Sequence, residues 1–417
     1  MSSTFYSKAG LDAKVIAETA PRSVSRLATI KAAAYPIKTS ATTATITVGS
    51  SNPHTTTGTT GSTLTNPVNF PYNQAGKWRF LGGVPGASGN YYENGMLRGA
   101  ALAGSRLKAP WKVEFMFSGQ AFEMAVRQSS TGGKYRIAVD DEWACAEQTI
   151  GTLDGLRYLH KIDFGSRAQR KITIHLYLTP FGGINIAGTD MIWQAPAPDT
   201  KVLVISDSYG EGAGGTGITA GWPVTMGEVC GFKELWNGSE SSTGYVAVSG
   251  TVAGSQTFQQ RIESLIPQMG GVPDIVVILG GYNDNTGNGI SNAATKAAAK
   301  ACYQKIRELA PHCDLFVVGV QNVNNTESSQ TQSIRDAVAE VNAAAAGTVT
   351  AFFDTRSATD PWVTGTGKVG ATTGNGNADV VIAGDGIHPY QEGHDYYGQR
   401  VGRAIRDYYF GKVRSLA

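Results

Sequence analysis

The chain has 417 residues, more than one hydrophobic core usually serves, so two domains and a tail are expected. Lysine and arginine (35) nearly balance aspartate and glutamate (33), and a formal net charge of +2 argues against a dedicated nucleic-acid binder. Apolar residues reach 41%, enough for real cores, yet no run of about 18 or more appears, which excludes a membrane-spanning helix.

Taken in order, Met1 to Ala20 lacks the apolar core of a secretory signal, which points to cytoplasmic synthesis or release by another route. Residues 23–34 carry a short helical pattern, and Thr39 to Thr65 is dominated by Thr, Ser and Gly. Such composition buries little apolar area, so residues 1–70 are expected to form an arm, a linker or a thin β-layer. An arm of this kind is compatible with attachment to a larger assembly. Cys145, Cys230, Cys302 and Cys313 show no C-x-x-C spacing, so buried free thiols are expected rather than a zinc or redox pair.

Residues 71–196 read as β-structure. Val113 to Phe117, Phe122 to Val126, Tyr135 to Val139 and Lys171 to Leu176 alternate or run apolar, with turns such as Ser129 to Gly133 between strands. Short strands without intervening helices predict an antiparallel sandwich or jelly roll. Trp111, Trp143 and Trp193 are read as core residues, with a position facing a sugar as the alternative. His160 and His175 have no acidic partner at a telling spacing and are read as structural.

Ala195-Pro-Ala-Pro-Asp-Thr200 breaks this pattern, because two prolines stiffen the chain and deny ladder hydrogen bonds. Strands at 202–206, 232–236, 274–280, 314–320 and 349–353 then alternate with helices at 256–266, 293–309 and 328–346. A last helix at 391–410 closes the chain. This rhythm predicts a parallel α/β domain over 200–417.

Three stretches of that domain carry chemistry. Val202 to Ile205 is a buried-strand run ending in Ser206-Asp207-Ser208 and a glycine-rich loop. Ser208 thus falls at the carboxyl end of the sheet, where open α/β folds bind ligands, as a nucleophile or as the cap of the next helix. Asp274 to Leu279 runs into Gly280-Gly-Tyr-Asn-Asp284, which brings the Asn283 amide to the same edge; Asn283 also suits a plain turn, and Asp284 a structural role. Asp385-Gly-Ile-His388 sets a carboxylate three residues before an imidazole. Acyl transfer needs a hydroxyl, a base, a group to orient the base and donors for the oxyanion, and all these occur at strand ends. Asp385, His388 and His394 would make a poor metal site, with no further ligand cluster, so neither metal nor cofactor is expected.

These residues resemble the SGNH (GDSL-type) hydrolase family over about 200–411. Ser206-Asp207-Ser208-Tyr209 is similar to the block Gly-Asp-Ser-Leu, with Ser for Gly and Tyr for Leu. Gly281-Tyr-Asn-Asp284 matches Gly-x-Asn-Asp, and Asp385-Gly-Ile-His388 matches Asp-x-x-His. Ser242-Thr-Gly244-Tyr245 resembles a Gly-Gly-Thr-Gly-Tyr block, with Ser242 where the oxyanion-hole glycine would fall, or Gly244 in that role. The resemblance implies a flavodoxin-like α/β/α domain in which Ser208 is the nucleophile, His388 the base and Asp385 its partner. The N–H groups of Ser208 and of Ser242 or Gly244, with the Asn283 amide, would form the oxyanion hole.

A jelly roll ahead of such a domain resembles carbohydrate acetyl esterases, which implies an O-acetylated polysaccharide as substrate. The Thr/Ser-rich leader fits a phage tail enzyme acting on a bacterial surface glycan. The alternatives are a lipase or thioesterase for longer acyl chains and a non-catalytic glycan-binding protein. Asp354 to Gly384 is rich in Gly, Thr and Asn, with Trp362 as a stacking platform for sugar or as a core residue. No long apolar stripe for a fatty-acyl tail is evident there, which favours acetyl esters.

Overall fold

The computed structural model describes residues 39–48, 58–96, 109–127, 132–150, 156–215, 220–320, 329–357 and 359–416. The helix expected at 23–34, most of the turn at 129–133 and the end of the glycine-rich loop near Gly217 lie outside the described residues.

Among the described residues, the first region is one antiparallel sheet of twelve strands, built around two long ones, Trp111–Arg127 and Arg157–Tyr177. These two pair along nearly their whole length, with a register shift between Asp163 and Ala168, opposite Ala121 and Gly119. The strands expected at 113–117 and 122–126 are therefore one strand: Ser118 and Gly119 stay in register with Gln169 and Ala168, and the excess residues, 164–167, bulge from the partner strand opposite Gln120. The two-sheet sandwich expected from the alternation is, in the hydrogen bonding, a single curled sheet. Phe115, Phe117, Phe122, Ile172 and Ile174 are fully buried beneath it. Trp111 and Trp143 are buried as expected, with Trp193 only half-buried. Thr45–Val48 and Val68–Pro71, within the expected arm, are strands of the same sheet. A Thr-rich segment can join there because the ladder supplies backbone partners even where little apolar surface is buried.

The second region is a five-stranded parallel sheet. Its strands are β1 (Lys201–Ser206), β2 (Glu234–Asn237), β3 (Ile275–Leu279), β4 (Asp314–Val318) and β5 (Ala351–Phe353), in the order β2-β1-β3-β4-β5. Each lies within a few residues of its expected position. The helices are α1 (Ser208–Glu211), α2 (Trp222–Cys230), α3 (Phe258–Gln268), α4 (Asn292–Leu309), α5 (Ser329–Ala344), α6 (Ala378–Val381) and α7 (Gln391–Leu416). Helix α2 was not anticipated, since Pro223 and Gly227 dilute its pattern.

Alternation along the strands makes three layers. Leu203, Ile205, Val276, Ile278, Leu315 and Val317 face α3, α4 and α5. Val202, Val204, Val277, Leu279, Phe316 and Val318 face α2 and α7. Successive side chains of a strand point to opposite faces, so near-continuous apolar runs are what a doubly covered sheet demands. Among the described residues no helix is long and apolar enough to cross a membrane.

The two regions meet at the edge strand β2. The α carbon of Gly82 packs so tightly on the Leu235 carbonyl that an added Cβ would come within 2.5 Å of the oxygen. Lys112 donates to the Lys233 carbonyl at 3.2 Å, and Lys233 pairs with Asp141 at 2.7 Å. Met96 and Ala109 are buried in the α/β core. The antiparallel region thereby helps to cover an edge that would otherwise offer unpaired backbone groups.

Candidate active site

In the order β2-β1-β3 the chain reverses its direction of travel across the sheet between β1 and β3, so the loops after these strands flank a natural crevice. Ser206 pairs with Leu279 at the ends of β1 and β3. Ser208 follows β1 and Asn283 follows β3, so register alone brings both loops to one edge.

Ser208 is the first residue of the one-turn helix α1. Asp207 is its N-cap, and the Oδ1 of Asp207 accepts the Tyr209 N–H at 3.0 Å. A first-turn N–H has no intrahelical partner, so the Ser208 N–H faces outward as a donor. The turn is fixed from behind by Asn237, whose amide donates to the Gly210 carbonyl at 2.8 Å. A Cβ on Gly210 would lie 2.1 Å from the Ser239 hydroxyl and 2.5 Å from Ser206 Cβ. Glycine at 210 is what lets Ser206 stand where the resemblance leads one to expect glycine.

The Asp385–His388 loop approaches from the other side. His388 Nε2 lies 3.0 Å from Ser208 Oγ, and His388 Nδ1 lies 2.6 Å from Asp385 Oδ2. The other carboxylate oxygen of Asp385 accepts the N–H groups of Ile387 at 2.9 Å and His388 at 3.0 Å. Partial burial works to raise the Asp385 carboxyl, but bonds from the His388 ring and from these backbone N–H groups outweigh it. Its pKa lies below the usual carboxylate value. An ionised carboxylate on Nδ1 holds the tautomer that turns a basic Nε2 toward the hydroxyl.

Asn283 donates one amide hydrogen to the Thr243 carbonyl at 2.9 Å. A primary amide carries two such hydrogens, which leaves one for a substrate oxygen. Gly281 reaches φ +108°, a conformation glycine adopts without cost, as the chain turns out of β3. Asp284 accepts the N–H groups of Tyr245, Val246 and Ala247 at 2.7, 2.9 and 2.8 Å, the structural part expected of it.

The two candidates for the remaining oxyanion donor differ. The Gly244 N–H is spent on the Ala247 carbonyl at 2.9 Å, and its α carbon lies against the Asp284 carboxylate. Ser242 has φ +61°, the left-handed conformation that favours glycine. Its backbone is thus shaped like that of the glycine it replaces. The loop carrying it is tied down by Glu211, which accepts the Ser241 N–H at 2.6 Å. It is also tied by the fully buried Arg261, which donates to the Ser206 carbonyl at 3.0 Å and to Thr243 Oγ1 at 2.8 Å.

Of the two readings left open for Trp362, the structure favours the core. Trp362 is only 4% exposed and packs among Tyr397, Val381 and Ile405 in the α/β core, so it cannot be a stacking platform. His394, beneath the site, donates through Nε2 to the Ala213 carbonyl at 2.9 Å, and burial pushes its pKa down to about 4. It is a neutral structural histidine. Among the described residues no group of three or more His, Cys, Asp and Glu side chains is placed to hold a metal. His160, bonded to Tyr135 at 2.8 Å, and His175, against Trp143, lie in the antiparallel region.

Sequence reasoning missed Tyr209. Its buried hydroxyl donates to the Ile387 carbonyl at 2.5 Å, joining the Ser208 turn to the Asp–His loop 178 positions away. The signal was there: tyrosine stands where the resembling block has leucine, which has no hydroxyl.

Residues 207–396 match the model of the GDSL-like Lipase/Acylhydrolase family. No curated protein matches the sequence. Similar solved structures include a family two carbohydrate esterase from Cellvibrio japonicus, with TM-score 0.56, 10% identity, and coverage of 82% of this chain and 98% of that one. An acetyl xylan esterase from the rumen bacterium Butyrivibrio proteoclasticus gives TM-score 0.54 and 12% identity, covering 82% and 98%. A salicylyl-acyltransferase from a tetracycline biosynthetic pathway gives TM-score 0.57 and 10% identity, covering 81% and 98%. At such identities these likenesses speak for the fold, and their coverage takes in the antiparallel region as well as the α/β domain.

Proposed function

We propose that the chain, whose residues 207–396 match the GDSL-like lipase/acylhydrolase family, is a carboxylic ester hydrolase that removes O-acetyl groups from a carbohydrate. The observation that carries the chemistry is the relay from Asp385 through His388 to Ser208 at 2.6 and 3.0 Å. Ser208 Oγ attacks the acyl carbon while His388 takes its proton and then passes it to the leaving alcohol. Water, deprotonated by the same imidazole, releases the acid from the acyl-serine. The oxyanion is held by the Ser208 N–H, the Asn283 amide and the N–H of Ser242, which we favour over Gly244 because the latter's N–H is already spent.

The carbohydrate reading is supported by the likeness to structures described as carbohydrate esterases and by the Gly-, Thr- and Asn-rich chain over 354–384. We read the curled antiparallel sheet as a jelly-roll-type accessory module. The expectation of a phage tail enzyme gains no support from the fold, and the proposal does not include it. An extended acyl groove would contribute about 0.8 kcal/mol per buried methylene, so a lipase should gain steeply with chain length. The proposal expects the reverse: kcat/KM falls from nitrophenyl acetate to butyrate to octanoate, and an acetylated polysaccharide releases acetate. Preference for octanoate together with no acetate release would replace the carbohydrate reading by the lipase one.

A further inference from the structure

When the acyl-serine forms, the Ser208 Oγ–acyl carbon bond is made, the acyl carbon–alkoxy bond breaks, and the Ser208 proton travels through His388 Nε2 to the departing oxygen. No redox change or co-reactant is involved. The leaving alcohol therefore lies on the imidazole side of Ser208. Side chains that share a face with His388 are the ones it meets.

The backbone identifies one such side chain. Pro389 forms an antiparallel bridge with Ile382. Two backbone bonds frame it, Ala383 N–H to the His388 carbonyl and Tyr390 N–H to the Val381 carbonyl, both at 2.8 Å. Across an extended residue the two flanking side chains point to the same face, so Tyr390 stands beside His388. Two steps of extended chain separate their backbones by about 6.6 Å, the scale of one six-membered ring. Tyr390 is 36% exposed, and its carbonyl accepts the His394 N–H at 2.9 Å, which fixes its backbone at the start of α7. An aromatic face held in place and open to solvent presents an apolar surface with a polar tip.

We propose that Tyr390 is the leaving-group platform, an aromatic face that packs on the ring of the alcohol while His388 protonates the oxygen leaving it. Placement on the alcohol side rests on His388 as proton donor. The identity of that ring as a pyranose rests on the carbohydrate reading above.

The test uses the full chain and its Tyr390→Ala and Tyr390→Phe variants with two ester series. One varies the alcohol at constant acetyl: ethyl acetate, cyclohexyl acetate and an acetylated methyl pyranoside. The other varies the acyl group at constant alcohol: nitrophenyl acetate and butyrate. Tyr390→Ala should lower kcat/KM for ring alcohols relative to ethyl acetate by about tenfold, chiefly through KM, while the butyrate-to-acetate ratio stays put. Tyr390→Phe should keep the ring preference, since the face and not the hydroxyl carries it. A changed butyrate-to-acetate ratio in Tyr390→Ala, or equal loss on every alcohol, overturns the proposal. If the wild type ignores the acetylated pyranoside but Tyr390→Ala selectively loses cyclohexyl acetate, the pyranose falls with the carbohydrate reading and the platform stands.

Discussion

The two halves of the proposed active site are held in place by opposite means. The Ser208 turn is anchored from inside: Asp207 and Asn237 are buried, Gly210 admits close packing, and Arg261 binds the end of β1 from below. The Asp385–His388 loop is anchored from outside, with the Asp385 side chain 47% and the His388 side chain 26% exposed. Its order comes from a short net of hydrogen bonds among neighbours. The difference suits the work we propose for each half. A nucleophile and oxyanion donors must be placed before reaction begins, whereas an imidazole must also exchange protons with an alcohol and with water. The Tyr209–Ile387 bond is the strap between the two.

That contrast is sharpened most by removing one member from each half. Ser208→Ala and His388→Ala should each lower kcat by several orders of magnitude with the fold intact, because the two act as one unit. Near-full turnover in Ser208→Ala would remove the mechanism entirely. On the anchored side, Asn283→Ala should lower kcat by about a hundredfold to a thousandfold with little change in KM, since its free amide hydrogen serves an oxygen that gains charge only in the transition state. A loss confined to KM would place Asn283 in ground-state binding instead.

The strap should matter less than either half. Tyr209→Phe keeps the buried ring and deletes one hydrogen bond, so kcat should fall by about tenfold at constant KM. Unchanged kcat would mean that the Asp–His loop holds itself in place.

Stability gives a separate contrast, read through pH and not through turnover. Burial raises the Asp207 carboxyl to about 7, against the opposing bond from the Tyr209 N–H and the charges of Arg261 and His388. In the unfolded chain this carboxyl ionises near its ordinary value, so the folded state holds the proton longer. The corresponding stability is complete at acid pH and is lost as pH rises through about 7. Asp207→Asn cannot ionise and still caps α1, so it should match the wild type near pH 4 and exceed it by up to about 4 kcal/mol above pH 8. Denaturant melts at the two pH values check this, and a gap that does not open with pH would refute it.

How much of this could be read from the sequence depended on whether the signal was local. β1 and β3 were legible because an unbroken β-branched run means a strand covered on both faces, and Val202 to Ile205 and Ile275 to Leu279 are all buried. Ser208, Asn283, Asp385 and His388 were legible as strand-end residues in a recognisable order, and register then brought the first two loops to one edge. The Ser118-Gly-Gln120 step was misread because a polar step within a strand and a turn have the same composition. Only the pairing of Gly119 with Ala168 on the neighbouring strand separates them.

What the sequence by itself determined is the parallel α/β scaffold and the kinds of catalytic group it presents, since both follow from local periodicity and side-chain chemistry. Tertiary structure alone decided three things. It put Trp362 in the core, because a tryptophan in a polar loop is buried or exposed according to what packs over it. It spent the Gly244 N–H on the Ala247 carbonyl and turned Ser242 into the left-handed conformation, because which carbonyl an N–H meets depends on where the neighbouring chain lies. It joined Tyr209 to Ile387, since a contact across 178 residues is a property of the folded backbone and not of the residues that make it.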